Sequence, residues 1–191
     1  MSTKTKLRQT LKAERRRYVA ALPDVTRALL FRVPPAPLSA LIPPQATIGL
    51  YRTGPNEAPA AGYARHFLER GHRIALPRFA MRDAPMEFAL HSDPFEESDL
   101  ETGPFTVLQP LAEAEAVVPE VLIVPLVGFT ADGLRLGQGG GHYDRWLASN
   151  PGTLAIGLAW DCQLVEDLPH EEHDHPLAAV VTPTRLYGPF A

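Results

Sequence analysis

Apolar residues recur along this chain in two rhythms. Over 4–21, Leu7, Leu11 and Tyr18 share one helical face, Leu22 continues the stripe, and charged residues fill most of the remainder. Over 121–127 the chain runs Val121-Leu122-Ile123-Val124-Pro125-Leu126-Val127 without polar alternation, the pattern of a strand buried on both faces. The same reading predicts a helix over 24–32, stopped by Pro34, Pro35 and Pro37, because proline lacks a donor and clashes with the preceding turn. It predicts a strand over 46–51, then an amphipathic helix over 58–70 that packs through Tyr63, Phe67 and Leu68 and ends at Gly71. A strand over 73–76 runs into Pro77-Arg78-Phe79, and the alternating stretch 86–90 reads as a strand near an edge. A helix over 143–148, ended by Asn150-Pro151-Gly152, and strands over 154–159 and 178–181 complete the series.

Strands alternating with helices predict an α/β fold, a mainly parallel sheet flanked by helices. Ligands of such folds collect beyond the C-terminal strand ends. The loop 52–57, the glycine-rich stretch 137–141 and the segment after Ala159 converge there. A length of 191 residues with 45% apolar content suits one domain over 1–191, and no repeat or low-complexity tract divides it.

The net charge of −4 gives no reason to expect nucleic acid as a partner. No apolar run approaches the length of a membrane span, and the basic amphipathic N-terminal segment lacks the apolar centre of a signal peptide. A soluble, cytoplasmic protein is expected, with no obligate protein partner indicated. One cysteine, Cys162, excludes an internal disulfide and a multi-cysteine metal site, and it reads as a packing or surface residue.

The chemistry concentrates in Arg135-Leu136-Gly137-Gln138-Gly139-Gly140-Gly141-His142-Tyr143-Asp144. A strand, a loop with four glycines in five positions and a helix start together form an anion site. Glycine lets the backbone approach a ligand, and the free N–H groups and positive dipole end of the helix favour phosphate. Glycines alone also fit a tight turn without a ligand. The flanking Arg135 and Arg145, with Asp144, favour phosphate. The loop is not a P-loop, since no lysine follows the glycines, and its spacing departs from GxGxxG. Asp144 in the first helical turn stabilises that turn by charge, and beside a polyphosphate it has a second use as a magnesium ligand. Lys4 and Arg8 lie four apart on one helical side and can reach one polyanion together; the other basic residues of that helix read as solvated. The stretch Pro169-His170-Glu171-Glu172-His173-Asp174-His175-Pro176 has the composition of a zinc site but not the spacing of HExxH, and its prolines argue for a loop.

The glycine loop resembles the RLGxGxGYYD motif of the 5-formyltetrahydrofolate cyclo-ligase family, with His142 in place of the first tyrosine. Lys4-Thr5-Lys6-Leu7-Arg8 resembles that family's KxxLR motif, and the stretch from Ile156 to His173-Asp174 resembles its C-terminal motif. Leu76-Pro77-Arg78-Phe79 and Gly103-Pro104-Phe105 extend the likeness, which runs from Lys4 to about Thr184. The resemblance implies a fold like the sugar-phosphate isomerases and CoA transferases. It implies ATP as co-substrate, bound by Lys4, Thr5, Lys6, Leu7, Arg8 and the stretch Arg135, Leu136, Gly137, Gln138, Gly139, Gly140, Gly141, His142 and Tyr143. It implies Mg2+ on Asp144 and Asp174, folate contacts at Arg52 and Glu57, and Arg135 and Asp144 as catalytic residues. Tyr143 either packs on the ligand or anchors the helix; Trp146 reads as core. The implied reaction closes 5-formyltetrahydrofolate to 5,10-methenyltetrahydrofolate with release of ADP and phosphate. Two other classes share parts of this pattern: a non-catalytic nucleotide- or folate-binding regulator, and a sugar-phosphate isomerase, which would need a base at the substrate carbon.

Overall fold

The computed structural model describes residues 3–169, 171 and 174–190, with the side chain of Thr3 excepted. Its centre is an eight-stranded sheet in the order β12-β11-β10-β7-β1-β2-β3-β6. The five inner strands run parallel: β1 (Thr47–Gly49), β2 (Arg73–Arg78), β7 (Val121–Pro125), β10 (Leu154–Leu158) and β11 (Ala179–Val181). Antiparallel partners close the two sides: β3 (Glu87–Leu90) and β6 (Ala116–Val117) beyond β2, and β12 (Leu186–Tyr187) beyond β11. The mainly parallel α/β architecture expected from the sequence is therefore present.

Alternate residues of β7 feed opposite cores, as a two-residue period demands. Val121 and Ile123 join one cluster with Ile48, Leu50, Ile74, Tyr63, Phe67 and Trp160. Leu122 and Val124 join the other with Phe88, Trp146 and Leu147. Helix α4 (Ala61–Leu68) covers the first face, and α5 (His142–Ser149) covers the second. Trp146 is core, as expected, packed edge-on against Phe88 at 5.0 Å. Cys162 is half-buried against the first cluster, in agreement with a packing role.

Helix α1 (Thr3–Ala21) places its apolar stripe as predicted: Leu7 and Leu11 meet Val127, Leu136 and Leu168, while Tyr18 and Val19 reach the main core. Two of the basic residues that read as solvated are not. Arg15 is buried, with Nη1 donating to the Leu126 carbonyl at 3.3 Å, and Lys12 is half-buried.

The second helix, α2 (Asp24–Leu29), is shorter than its predicted span of 24–32, since Leu30 turns extended at ψ 144. The helix therefore ends before Pro34, Pro35 and Pro37, which do not stop it; two of them begin α3 (Ala36–Ser39) instead, with Pro35 as the N-cap and Pro37 in the first turn. Proline is tolerated there because those N–H groups have no helical partner. Leu38, fully buried, anchors this turn to the core.

Two short hairpins escape periodicity altogether: β4 (Leu100–Thr102) with β5 (Leu108–Pro110), and β8 (Gly128–Phe129) with β9 (Arg135–Leu136). The second corrects the expected strand–loop–helix order. The glycine loop leaves β9 rather than β7, and the Val127 amide bonds the Leu136 carbonyl at 2.7 Å to fold the hairpin back over the strand end. Segments of two or three residues are too short to carry a two-residue period.

Candidate active site

Parallel strands leave their ligands at the point where connections reverse direction. Here β1 and β2 extend the sheet one way, and the chain then returns to β7 on the other side of β1. Beyond these strand ends lies a cavity of about 480 Å3. Tyr51, Arg52 and Glu57 reach it after β1, Pro77 and Phe79 at the end of β2, Pro125 from β7, and residues 135–144 from the glycine loop. Lys4 and Arg8 enter from α1, and Glu171 and Asp174 from the C-terminal loop. The structure thus gathers most of the residues singled out by sequence into one place. Thr5, Lys6 and Leu7 do not line the cavity; Leu7 packs instead against the hairpin that carries the loop. Lys6 is exposed. His170 and His173 lie outside the described residues.

The glycine loop requires its glycines at two positions in particular. Gly139 stands at φ 110 and Gly141, the N-cap of α5, at φ 63, both in the left-handed region that side chains disfavour. Arginines brace the loop from both sides through its carbonyls. Arg8 Nε donates to Gly137 O at 2.9 Å, and Arg145 Nη2 donates to Gly140 O at 2.8 Å. Packing of Leu7 and Leu11 on Leu136 brings Arg8 into register for this contact.

Two acids face the cavity with cations already beside them. Asp144 pairs with Arg135, whose side chain is only 3% exposed. Asp174 Oδ2 accepts from Lys4 Nζ at 2.9 Å, and Glu171 lies 3.1 Å from the same ammonium. Burial weighs against the charge of Lys4, but the hydrogen bonds to Asp174 and Glu171 and the negative charges of those two acids together outweigh it and raise its pKa. Burial holds Arg135 below the usual guanidinium value, with Asp144 and then Asp174 acting against that shift. Asp174 therefore lies within electrostatic reach of the same guanidinium that Asp144 pairs with. Among the described residues no three His, Cys, Asp or Glu side chains form a complete metal cage. Two carboxylates on one cavity are nevertheless the donor set that suits magnesium, which keeps waters and completes its shell with substrate phosphates.

Part of the cavity wall is apolar and aromatic. Phe79 meets Phe105 at 4.9 Å and His142 at 5.0 Å, both edge-on. Met86, Val107 and Leu108 extend this surface. Gln109 fixes Phe79 by accepting from its amide at 3.1 Å and donating to its carbonyl at 3.2 Å. Sequence reading missed Gln109, and a lone glutamine inside a three-residue strand carries no signal that would have found it. His142 takes the motif's tyrosine place as an aromatic ring with Nδ1 3.2 Å from Arg145 Nη2. Burial, and then Arg145, lower the pKa of this imidazole. Burial raises the Tyr143 phenol far above its ordinary value, with Glu57 adding to the shift, and its ring packs against both cores.

Glu57 closes the loop after β1. Its Oε2 accepts from the Gly54 amide at 2.7 Å and its Oε1 from Gln138 Nε2 at 2.5 Å. The buried Trp160 ring holds the same loop by donating from Nε1 to Asn56 O at 3.0 Å. Arg52 lines the cavity with its charge already held by Glu97, in a two-pronged contact of 2.5 and 3.1 Å.

Known proteins resemble this chain in sequence and in fold. The family model described as the 5-formyltetrahydrofolate cyclo-ligase family matches residues 1–183. The 5-formyltetrahydrofolate cyclo-ligase of Escherichia coli K12 is 42% identical over 123 residues, covering 61% of this chain and 66% of the relative. That of Mycolicibacterium smegmatis is 31% identical over 123 residues, covering 62% of this chain and 63% of the relative. The aligned stretches thus span a little under two thirds of these curated relatives. The NMR structure of Aquifex aeolicus 5,10-methenyltetrahydrofolate synthetase superposes with a TM-score of 0.77 at 25% identity, covering 98% of this chain and 93% of that one. The match of the family model along nearly all its length settles membership: the chain belongs to the 5-formyltetrahydrofolate cyclo-ligase family.

Proposed function

We propose that this chain uses ATP to convert 5-formyltetrahydrofolate to 5,10-methenyltetrahydrofolate, releasing ADP and phosphate. The observation that carries this reading is one cavity lined by two chemically distinct sets of groups. A glycine loop, Lys4, Arg8, Arg135 and two aspartates form one set, and Glu57 with the Phe79 and Phe105 rings forms the other. The first suits a polyphosphate, and the second suits a flat heterocycle that offers donors to a carboxylate. Membership of the cyclo-ligase family supports the same reaction.

The chemistry assigns work to each set. A formamide oxygen is a poor leaving group. It attacks the γ-phosphorus, the bond to ADP breaks, and an imino-phosphate of the folate results. N10 then attacks the formyl carbon, its proton is lost, and the C–O bond breaks with phosphate carrying away the electron pair. Phosphoryl transfer asks the protein for positioning and charge stabilisation rather than a nucleophile. Backbone N–H groups of the glycine loop, the Lys4 ammonium and the Arg8 and Arg135 guanidiniums would hold the phosphates. Asp144 and Asp174 would hold magnesium, which supplies further neutralisation of phosphate charge when bound. Glu57 would orient the pterin. Arg52 would border the folate with its charge balanced by Glu97.

The test is discrimination between formyl isomers. With ATP and magnesium, 5-formyltetrahydrofolate should yield methenyl product. 10-Formyltetrahydrofolate should not react by this route, because its formyl group occupies the nitrogen that must attack. Equal ATP-dependent turnover of both would exclude the proposed intermediate.

A further inference from the structure

Among the described residues, a side-chain bridge joins the glycine loop to the loop after β1. Gln138, exposed at the tip of the glycine loop, donates from Nε2 to Glu57 Oε1 at 2.5 Å across 81 residues of sequence. The other oxygen of Glu57 takes the Gly54 amide at 2.7 Å, so the carboxylate has a donor on each side, one from each loop. Each loop is also tied down independently. Arg8 holds the carbonyl of Gly137, immediately before Gln138, and its guanidinium carbon lies 3.6 Å from where a Cβ on Gly139 would stand. Trp160 holds the carbonyl of Asn56, immediately before Glu57, and Asn56 itself is fixed at φ 62. A displacement of the glycine loop at Gln138 is therefore transmitted to Glu57 through one short hydrogen bond to a charged acceptor, the stronger kind.

We propose that Gln138 is a positioning residue that sets the orientation of the Glu57 carboxylate according to the state of the glycine loop, and so couples nucleotide binding to the folate site. This rests on the assignment of the glycine loop to nucleotide and of Glu57 to folate. The amide of Gln138 touches neither reacting group; it acts through Glu57. Nucleotide seated on the loop fixes Gln138, Gln138 fixes Glu57, and folate then meets a carboxylate already aimed. Order in one loop lowers the cost of ordering the other, which is positive coupling without a large movement.

Hydrogen–deuterium exchange on the full chain, with magnesium and a non-hydrolysable ATP analogue as the probe, reads the coupling directly. In the parent, the analogue should slow exchange of amides both in 137–141 and in 53–57. In Gln138→Ala, and in Gln138→Met, which keeps the length and removes the donor, protection of 137–141 should persist. Protection of 53–57 should fall roughly tenfold, the size expected for losing a hydrogen bond to a charged group. The readout is the difference between exchange with and without the analogue, because a merely structural contact would weaken 53–57 equally in both states and leave that difference at the parent's value. Parent-like protection of 53–57 in both variants overturns the proposal. A parent whose glycine loop is protected while 53–57 is not also overturns it and leaves the nucleotide site standing. A parent unprotected at 137–141 brings down the nucleotide assignment itself, and this proposal with it.

Discussion

Arg135 and Asp144, at the two ends of the glycine loop, form an ion pair that clamps the loop's base. Arg135 is nearly sealed from solvent, at 3% side-chain exposure, whereas Asp144 is 23% exposed. Removing the acid leaves a buried cation without its partner, and the Arg135 Nε already has none. Asp144→Ala should therefore cost about 3 kcal/mol of stability, the lower end for breaking a buried pair. Asn retains an acceptor and should cost less. Urea unfolding of both variants checks this, and an Ala variant as stable as the parent would contradict the clamp.

Gly139 should tolerate no side chain without loss of function. At φ 110 any side chain is strained, at a cost of order 1–3 kcal/mol. A Cβ there would also stand 3.6 Å from the Arg8 guanidinium that braces the loop. Gly139→Val is expected to remain folded and to weaken binding of an ATP analogue by roughly tenfold or more, the effect of losing one charge-assisted contact. A titration that gives the parent's affinity would remove the loop from the nucleotide site.

The basic residues of α1 should divide by position. Lys4 and Arg8 line the cavity, whereas Arg16 and Arg17 are exposed elsewhere on the helix. Lys4→Ala and Arg8→Ala are each expected to raise the KM for ATP by about tenfold, since a hydrogen bond to a charged partner is lost. Arg16→Ala and Arg17→Ala should leave it alone. Deletion of the first eight residues with an unchanged KM would refute the assignment.

Much of this site was legible in the sequence because its parts are local. The glycines, their flanking arginines and Asp144 sit within eleven positions, Arg135 to Arg145, and the apolar run of β7 announces the buried strand before them. Lys4 and Arg8 were legible from helical spacing. What the sequence hid is what depends on tertiary approach. Arg15 looks like its solvated neighbours until α1 is laid across the strand ends. Gln138 and Glu57 meet only because β1 and the β8–β9 hairpin end at the same edge of the cavity. Arg52 read as a folate contact, yet its guanidinium is held by Glu97 from the connection after β3.

That last pair carries a pH dependence. The hydrogen bond from Arg52, against some burial, holds the Glu97 carboxyl below its ordinary value of 4.5. The unfolded chain binds this proton more readily, so the pair's contribution is present above pH 4.5 and is lost as pH falls through the lower folded value. Arg52→Met should accordingly flatten the fall in stability below pH 4.5 and leave the slope near neutrality unchanged. Denaturant midpoints at several pH values decide it, and a parent-like acid limb in the variant would mean that the pair contributes nothing.

The central claim is a phosphoryl-activated ring closure, and one absorbance assay addresses it. Purified protein, magnesium and 5-formyltetrahydrofolate should produce the methenyl chromophore only when ATP is added. One ATP should be consumed per product, and a non-hydrolysable analogue should give none. Product without ATP would contradict the activation step. No methenyl absorbance under any of these conditions would contradict the reaction itself and leave a nucleotide- or folate-binding regulator as the reading of this cavity.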